Sequence, residues 1–179
     1  MKRFILTGPP GAGKTAILRA LERRGYPVIE EAATDVVALG QARGDPAPWT
    51  SARFVDDIVA LQRRRQDEAA AWSEPVQVFD RSPVCTLALA RFLGFEVSQP
   101  LKQELERIGQ GGVYERRVFF VESLGFMTNT EVRRISLGEA LRFGEVHETA
   151  YRELGYELVR ISPGPVEHRA DLIAQLMET

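Results

Sequence analysis

The run Gly8-Pro9-Pro10-Gly11-Ala12-Gly13-Lys14-Thr15 stands directly behind the apolar stretch Phe4-Ile5-Leu6, and its residue types suit the capture of a polyphosphate. Glycines let successive backbone N–H groups close around phosphate oxygens, and a helix starting at the lysine adds its positive N-terminal end. Lys14 would reach the β and γ phosphates. The Thr15 hydroxyl falls where a Mg2+ ion bridging those phosphates can be ligated while keeping most of its water. With Ala16 behind it, the run Gly8 to Ala16 is expected to hold a nucleoside triphosphate. A glycine-rich turn that merely joins a strand to a helix would explain neither the Gly13-Lys14-Thr15 triplet nor the apolar lead-in.

Other candidates lie where apolar runs end. Glu30 and Glu31 close one such run, at a place where a carboxylate could meet an acceptor hydroxyl approaching the γ phosphate. The plainer alternative is that they open a helix, where negative charge favours the macrodipole. In Phe79-Asp80-Arg81-Ser82-Pro83, Asp80 leaves a buried strand and is expected to order Mg2+, while Arg81 could clamp an acceptor phosphate or an acidic group. Asp80 and Ser82 also suit the cap of a helix beginning at Pro83, a role compatible with the first. The segment Leu124 to Ser136 carries glycine, polar residues and Arg133-Arg134, the composition of a lid whose arginines could neutralise transition-state charge. A solvated pair is the alternative, since this chain uses arginine far more than lysine. Arg63-Arg64-Arg65 and Arg116-Arg117 read as solvated charge, and His147 and His168 as structural or exposed. Trp49, after Pro46 and Pro48, reads as the anchor of a proline-rich loop rather than a stacking platform.

To bring these residues together the chain needs strands ending at one edge. Buried-strand runs occur at Arg3 to Thr7, Pro27 to Glu30, Val76 to Asp80, Arg117 to Glu122 and Tyr156 to Ile161. Helical periodicity occupies Lys14 to Arg24, a face with Phe54, Val55, Ile58, Leu61 and Arg65, then Pro83 to Leu93, Pro100 to Ile108, Leu137 to Leu154 and Val166 to Met177. Gly40 to Pro48 and Gly109 to Gly112 read as loops. Strands alternating with helices predict a three-layer α/β fold with ligands outside the carboxyl ends of its strands.

Composition narrows the partners. The 179 residues fit one domain, and a net charge of -2 with a pI near 5.8 leaves no basic surplus, so no nucleic acid is expected and the ligand should be small. Cys85 is the only cysteine, which excludes an internal disulfide and fits a reducing cytoplasm. The apolar run after Met1-Lys2-Arg3 stops at Leu6, so no secretion or membrane segment is expected.

With the loop, Glu31-Ala32-Ala33 and Asp80-Arg81-Ser82, the chain resembles the small P-loop nucleoside and nucleotide kinase-like proteins. Among them it is most similar to the ATPase/kinase domains related to ribosylnicotinamide kinase. The resemblance implies a P-loop NTPase domain over residues 1–179, a five-stranded parallel sheet of order 2-3-1-4-5 and a lid near 124–136. It implies that Glu31 contacts the acceptor hydroxyl, that Asp80 and Arg81 form the acidic–arginine pair after the third strand, and that Arg133 and Arg134 belong to the lid. Thr34 stands where relatives often carry arginine. With no Asn-Lys-x-Asp segment to read guanine, ATP is favoured over GTP. Three readings stay open: a kinase acting on a small nucleoside- or nucleotide-like acceptor, a nucleotide-dependent switch with a protein partner, and an ATP-binding module with negligible turnover.

Overall fold

The computed structural model describes residues 1–124 and 136–178. Its strands are β1 (Lys2–Thr7), β2 (Val28–Ile29), β3 (Val76–Asp80), β4 (Arg117–Val121) and β5 (Glu157–Ile161). They form one parallel sheet of order β2-β3-β1-β4-β5, as the resemblance implied. The helices are α1 (Lys14–Arg23), α2 (Ala32–Ala42), α3 (Arg53–Ala69), α4 (Pro83–Leu93), α5 (Gln99–Gln110), α6 (Leu137–Glu153) and α7 (Val166–Glu178), with a 3-10 turn at Pro48–Thr50.

The near-continuous apolar runs arise because both faces of the sheet are covered. Side chains alternate along β1, so Phe4 and Leu6 join a core with Ile17 and Leu21 of α1 and Ile173 and Met177 of α7. Ile5 points the other way, into a core with Val55 of α3, Val84 of α4, Leu101 of α5 and Tyr151 of α6. A smaller cluster of Ala32, Val36, Phe54 and Ile58 fixes α2 against α3. The register sets Leu6 of β1 opposite Asp80 of β3 and Phe119 of β4. The chain therefore leaves β1 and β3 side by side, at the edge where ligands are expected.

The loop expected at Gly40 to Pro48 differs. Helix α2 runs to Ala42 and includes Gly40, where a Cβ would come within 2.4 Å of Pro48 Cγ. Glycine serves close packing of the returning 3-10 turn there rather than a break in the helix. Gly109 likewise lies inside α5, whose amphipathic face carries Leu101, Glu104 and Ile108 inward. Strand β2 is shorter than the run Pro27 to Glu30. Helix α6 opens with a capping box, in which Ser136 Oγ accepts from the Glu139 N–H and Glu139 accepts from the Ser136 N–H. The core of the expected lid, residues 125–135 with Arg133 and Arg134, lies outside the described residues. Among the described residues no helix is long and apolar enough to cross a membrane.

Candidate functional site

Close approach shapes the loop between β1 and α1. Gly8 has φ 135°, and a Cβ there would lie 2.2 Å from the Val121 carbonyl oxygen at the end of β4. No other residue type fits. Gly11 and Gly13 are also left-handed, and Gly13 caps α1 without a side chain. No acidic residue stands in the first turn of α1, so its N-terminal N–H groups face the loop without a competing carboxylate. Lys14 folds back over the loop, Nζ donating to the Gly8 and Pro9 carbonyls at 3.2 and 3.1 Å. Burial, helped by the Arg81 charge, brings its pKa down from 10.5 to about 8, against the opposing pull of Asp80 and Glu31.

From behind, α7 braces the same loop. Arg169 is 5% exposed and donates to the Ala12 carbonyl at 3.0 Å, its Nε buried without a hydrogen-bond partner. Its guanidinium lies over Gly13, where a Cβ would meet NH2 at 3.1 Å. Sequence reading missed Arg169. The available signal was its place among Ala170, Ile173 and Met177 on the buried stripe of α7.

At the end of β3, Asp80 keeps Oδ1 buried and without a hydrogen-bond partner. Burial raises its pKa from 3.8 to about 6; Lys14 opposes the rise and Glu31 adds to it. Arg81 follows with φ 71°, the only left-handed non-glycine residue among those described, its N–H donating to Leu6 O at 3.1 Å. Its Nε lies 2.5 Å from Glu31 Oε1 as an ion pair that lacks hydrogen-bond alignment, and NH1 donates to His147 Nε2 at 3.0 Å. His147 is fully buried, with Nδ1 2.7 Å from the Phe143 carbonyl. That carbonyl requires the proton on Nδ1, which leaves Nε2 to accept from Arg81. Burial and the Arg81 charge hold the imidazole well below its usual pKa, so the ring stays neutral. Glu31 is pushed up by burial but pulled further down by Arg81 and Lys14, and it also accepts from Thr34 Oγ1 at 3.2 Å. Glu30 turns to the surface and pairs with Arg19 at 3.1 Å.

Beneath this pair runs a buried polar chain. Thr7 Oγ1 lies 3.2 Å from Cys85 Sγ, Cys85 Sγ lies 3.1 Å from Tyr151 Oη, and Tyr151 Oη lies 2.8 Å from Ser82 Oγ. Ser82 also caps α4 by accepting from the Val84 N–H at 3.2 Å. The exits of β1 and β3 are thereby fastened to α6.

Lys14, Thr15, Glu31, Asp80 and Arg81 border one concave cavity of about 580 Å³, open beside the phosphate loop. Its far walls come from Trp49, Phe54, Gln62, Thr86 and Phe143, with His147 at the back. A smaller cleft of about 220 Å³ between α1 and α2 shares Thr15, Glu31 and Asp80. No group of three or more His, Cys, Asp or Glu residues is placed to hold a metal among the described residues. A hydroxyl from Thr15 and an unpartnered carboxylate oxygen from Asp80 fit Mg2+, an ion that takes its remaining ligands from water and phosphate. Of the arginines read as solvated charge, Arg63 and Arg64 pair with Asp67 and Glu68 and Arg116 donates to Gly155 O, whereas Arg65 departs from that reading: it is largely buried, pairs with Asp35 and donates to the Glu30 carbonyl at 2.8 Å.

A family model for an AAA domain matches residues 3–169. The chain belongs to that AAA-domain family. No curated protein matches its sequence. Among solved structures, this AAA-domain chain is similar to a deoxyadenosine kinase from M. mycoides with the products dCMP and dCDP bound, at TM-score 0.63, 13% identity and 98% coverage of both chains. The same enzyme with dATP matches at TM-score 0.53 and 12% identity, over 99% of this chain and 100% of that one. Shikimate kinase from Acinetobacter baumannii with shikimate matches at TM-score 0.55 and 15% identity, over 99% of this chain and 93% of that one. At such identities the likeness shows the fold, that of the P-loop kinases.

Two residues of this AAA-domain chain carry more than the sequence suggested. Trp49 packs against the α2–α3 cluster, as a loop anchor should, but it also lines the cavity. His147 was read as structural or exposed, and it is the neutral acceptor that holds Arg81. The signal lay in helix periodicity, which sets His147 on the buried face of α6 with Ala140, Phe143, Gly144, Ala150 and Tyr151.

Proposed function

We propose that this chain transfers the γ-phosphoryl group of Mg-ATP to a hydroxyl of a small, nucleoside- or nucleotide-like acceptor. The observation that carries the reading is the concave cavity beside Glu31 and Arg81, facing the phosphate loop. A protein that only grips or senses nucleotide has no need of it. The loop N–H groups and Lys14 would bind the donor phosphates, and Thr15 with Asp80 would hold the metal. Bound Mg2+ supplies neutralisation of charge on the β and γ oxygens. Glu31, kept ionised by Arg81, accepts a hydrogen bond from the acceptor hydroxyl and aims its oxygen at phosphorus. Arg133 and Arg134 are proposed to add positive charge from the lid. The elements shared with ribosylnicotinamide-kinase-like domains, Glu31-Ala32-Ala33 and Asp80-Arg81-Ser82, meet at this cavity, which favours a nucleoside-like acceptor. The buried lone thiol of Cys85 suits a cytoplasmic setting.

ADP release with and without a panel of nucleosides, nucleotides and sugars tests the reading, with Lys14→Ala as control. Release should depend on an acceptor. The AAA-domain match favours a second reading, an ATP-dependent switch acting on a protein partner. Turnover indifferent to every small acceptor but raised by a protein fraction would replace the first reading with the second.

A further inference from the structure

Helices α1 and α7 cover one face of the sheet, whereas α3, α4 and α6, which supply far walls of the cavity, cover the other. Arg169 of α7 therefore reaches the phosphate loop from behind. Its NH1 donates to the Ala12 carbonyl at 3.0 Å, and its NH2 lies against Gly13, where a Cβ would come within 3.1 Å of it. A trans peptide sets its carbonyl and its N–H in opposite directions. The Gly13 N–H shares a peptide with the Ala12 carbonyl, so it points away from Arg169. A positive donor on that carbonyl also polarises the peptide and makes its N–H a stronger donor.

Stability alone does not account for a guanidinium at this place. Arg169 shares the buried stripe of α7 with Ala170, Ile173 and Met177, is 5% exposed, and keeps Nε buried without a hydrogen-bond partner. The acidic neighbours of Arg169 on α7, Asp171 and Glu167, are turned instead to Arg24 at 2.6 and 2.8 Å. They raise the pKa of Arg24, whereas burial draws that of Arg169 below the usual arginine value. A cation buried in this way costs the fold. It would gain an opposing charge when a polyphosphate enters on the far side of the Ala12–Gly13 peptide.

We infer that Arg169 is a positioning residue for the donor phosphates: from behind the loop it holds the Ala12–Gly13 peptide so that the Gly13 N–H meets them, and its charge adds to their attraction. The role rests on the donor half of the proposed reading, a nucleotide held by the phosphate loop, and is independent of the acceptor.

Magnesium pyrophosphate and Mg-ADP are titrated by calorimetry into the full chain and into its Arg169→Lys, Arg169→Gln and Arg169→Met variants, with urea unfolding of each free protein alongside. Lysine keeps the charge, glutamine keeps an uncharged donor, and methionine keeps only apolar bulk. The pyrophosphate Kd should rise least in Arg169→Lys, about tenfold in Arg169→Gln and further in Arg169→Met. The same factors should hold for ADP, because the effect acts on phosphate and not on base or sugar. Free Arg169→Gln should unfold at a urea concentration no lower than the wild type. Damage to the fold would lower midpoint and affinity together, so affinity lost at an undiminished midpoint has no such explanation. Wild-type affinity in both Arg169→Gln and Arg169→Met overturns the inference. So does an Arg169→Gln midpoint that falls in step with its affinity, which makes Arg169 a structural brace only. Loss of ADP binding with pyrophosphate binding intact would overturn it too, by placing Arg169 at the base or sugar. A wild-type chain that binds neither ligand at millimolar concentration removes the nucleotide reading along with this one, which tells the two failures apart.

Discussion

The proposed donor side of the cavity is one unbroken piece of chain, Gly8 to Thr15, whereas the proposed acceptor side is assembled from separated elements. Glu31 comes from the start of α2, Trp49 from the 3-10 turn, Gln62 from α3, Arg81 from the end of β3 and His147 from α6. The first is shaped by backbone sterics, as the contact between Gly8 and the Val121 carbonyl shows. The second is shaped by side-chain pairing: an ion pair, a neutral imidazole and a buried polar chain. Backbone shape is set by local residue types and tolerates no replacement, while side-chain pairing can be re-wired one partner at a time. The donor side should therefore fail outright under mutation, and the acceptor side should fail by degrees.

The largest effect is expected on the donor side. Lys14→Ala removes the charge proposed to meet the β and γ phosphates and should lower turnover about 10²- to 10³-fold, with weaker ATP binding by titration. Undiminished turnover would place the donor site elsewhere.

Asp80 sits at the junction of the two sides and tests it through pH. Its folded pKa lies near 6, above the ordinary 3.8, because burial disfavours the carboxylate. Between those values the folded state holds more proton than the unfolded one, so this group makes stability fall as pH rises through that window. At pH 7.5 the loss is complete, and Asp80→Asn should gain on the order of 2 kcal/mol in urea unfolding while losing turnover. The gain should vanish below about pH 4. Equal stability at both pH values would mean that Asp80 is not strained by its burial.

Tyr151→Phe loosens the polar chain beneath the site, touching Cys85 and Ser82 directly and the phosphate loop only through Thr7. Removing the hydroxyl breaks the link from Cys85 to Ser82 and should lower stability by about 1–2 kcal/mol while ATP affinity holds. Weakened ATP binding would show that the two sides are less separate than they look.

The same contrast explains what the sequence revealed. Gly8 to Thr15 is legible because its chemistry is local and each residue's neighbours in sequence are its neighbours in space. β3 and α4 were read at their observed bounds, since a buried strand followed by Ser82-Pro83 leaves little choice. The sheet order came from resemblance, as local pattern does not fix which strands pair. His147 and Arg169 were hidden because their partners, Arg81 and Ala12, lie 66 and 157 residues away along the chain. Gly40 misled because close packing against Pro48 and a helix break look alike in sequence.

The smallest effect isolates backbone from side chain at the residue where the sides meet. Arg81→Gly and Arg81→Ala both remove the guanidinium, so both lose the contacts to Glu31 and His147. They differ in the backbone. At φ 71° an alanine carries left-handed strain of about 1–2 kcal/mol that glycine escapes, whereas glycine loses about 0.4–1 kcal/mol more entropy on folding. The difference leaves Arg81→Gly more stable than Arg81→Ala by about 0.5–1 kcal/mol, readable as a shift in urea midpoint at constant m-value. If Arg81→Ala is the more stable of the two, the left-handed turn exists only because the guanidinium pulls the chain into it. The acceptor side would then shape the backbone that the donor side inherits.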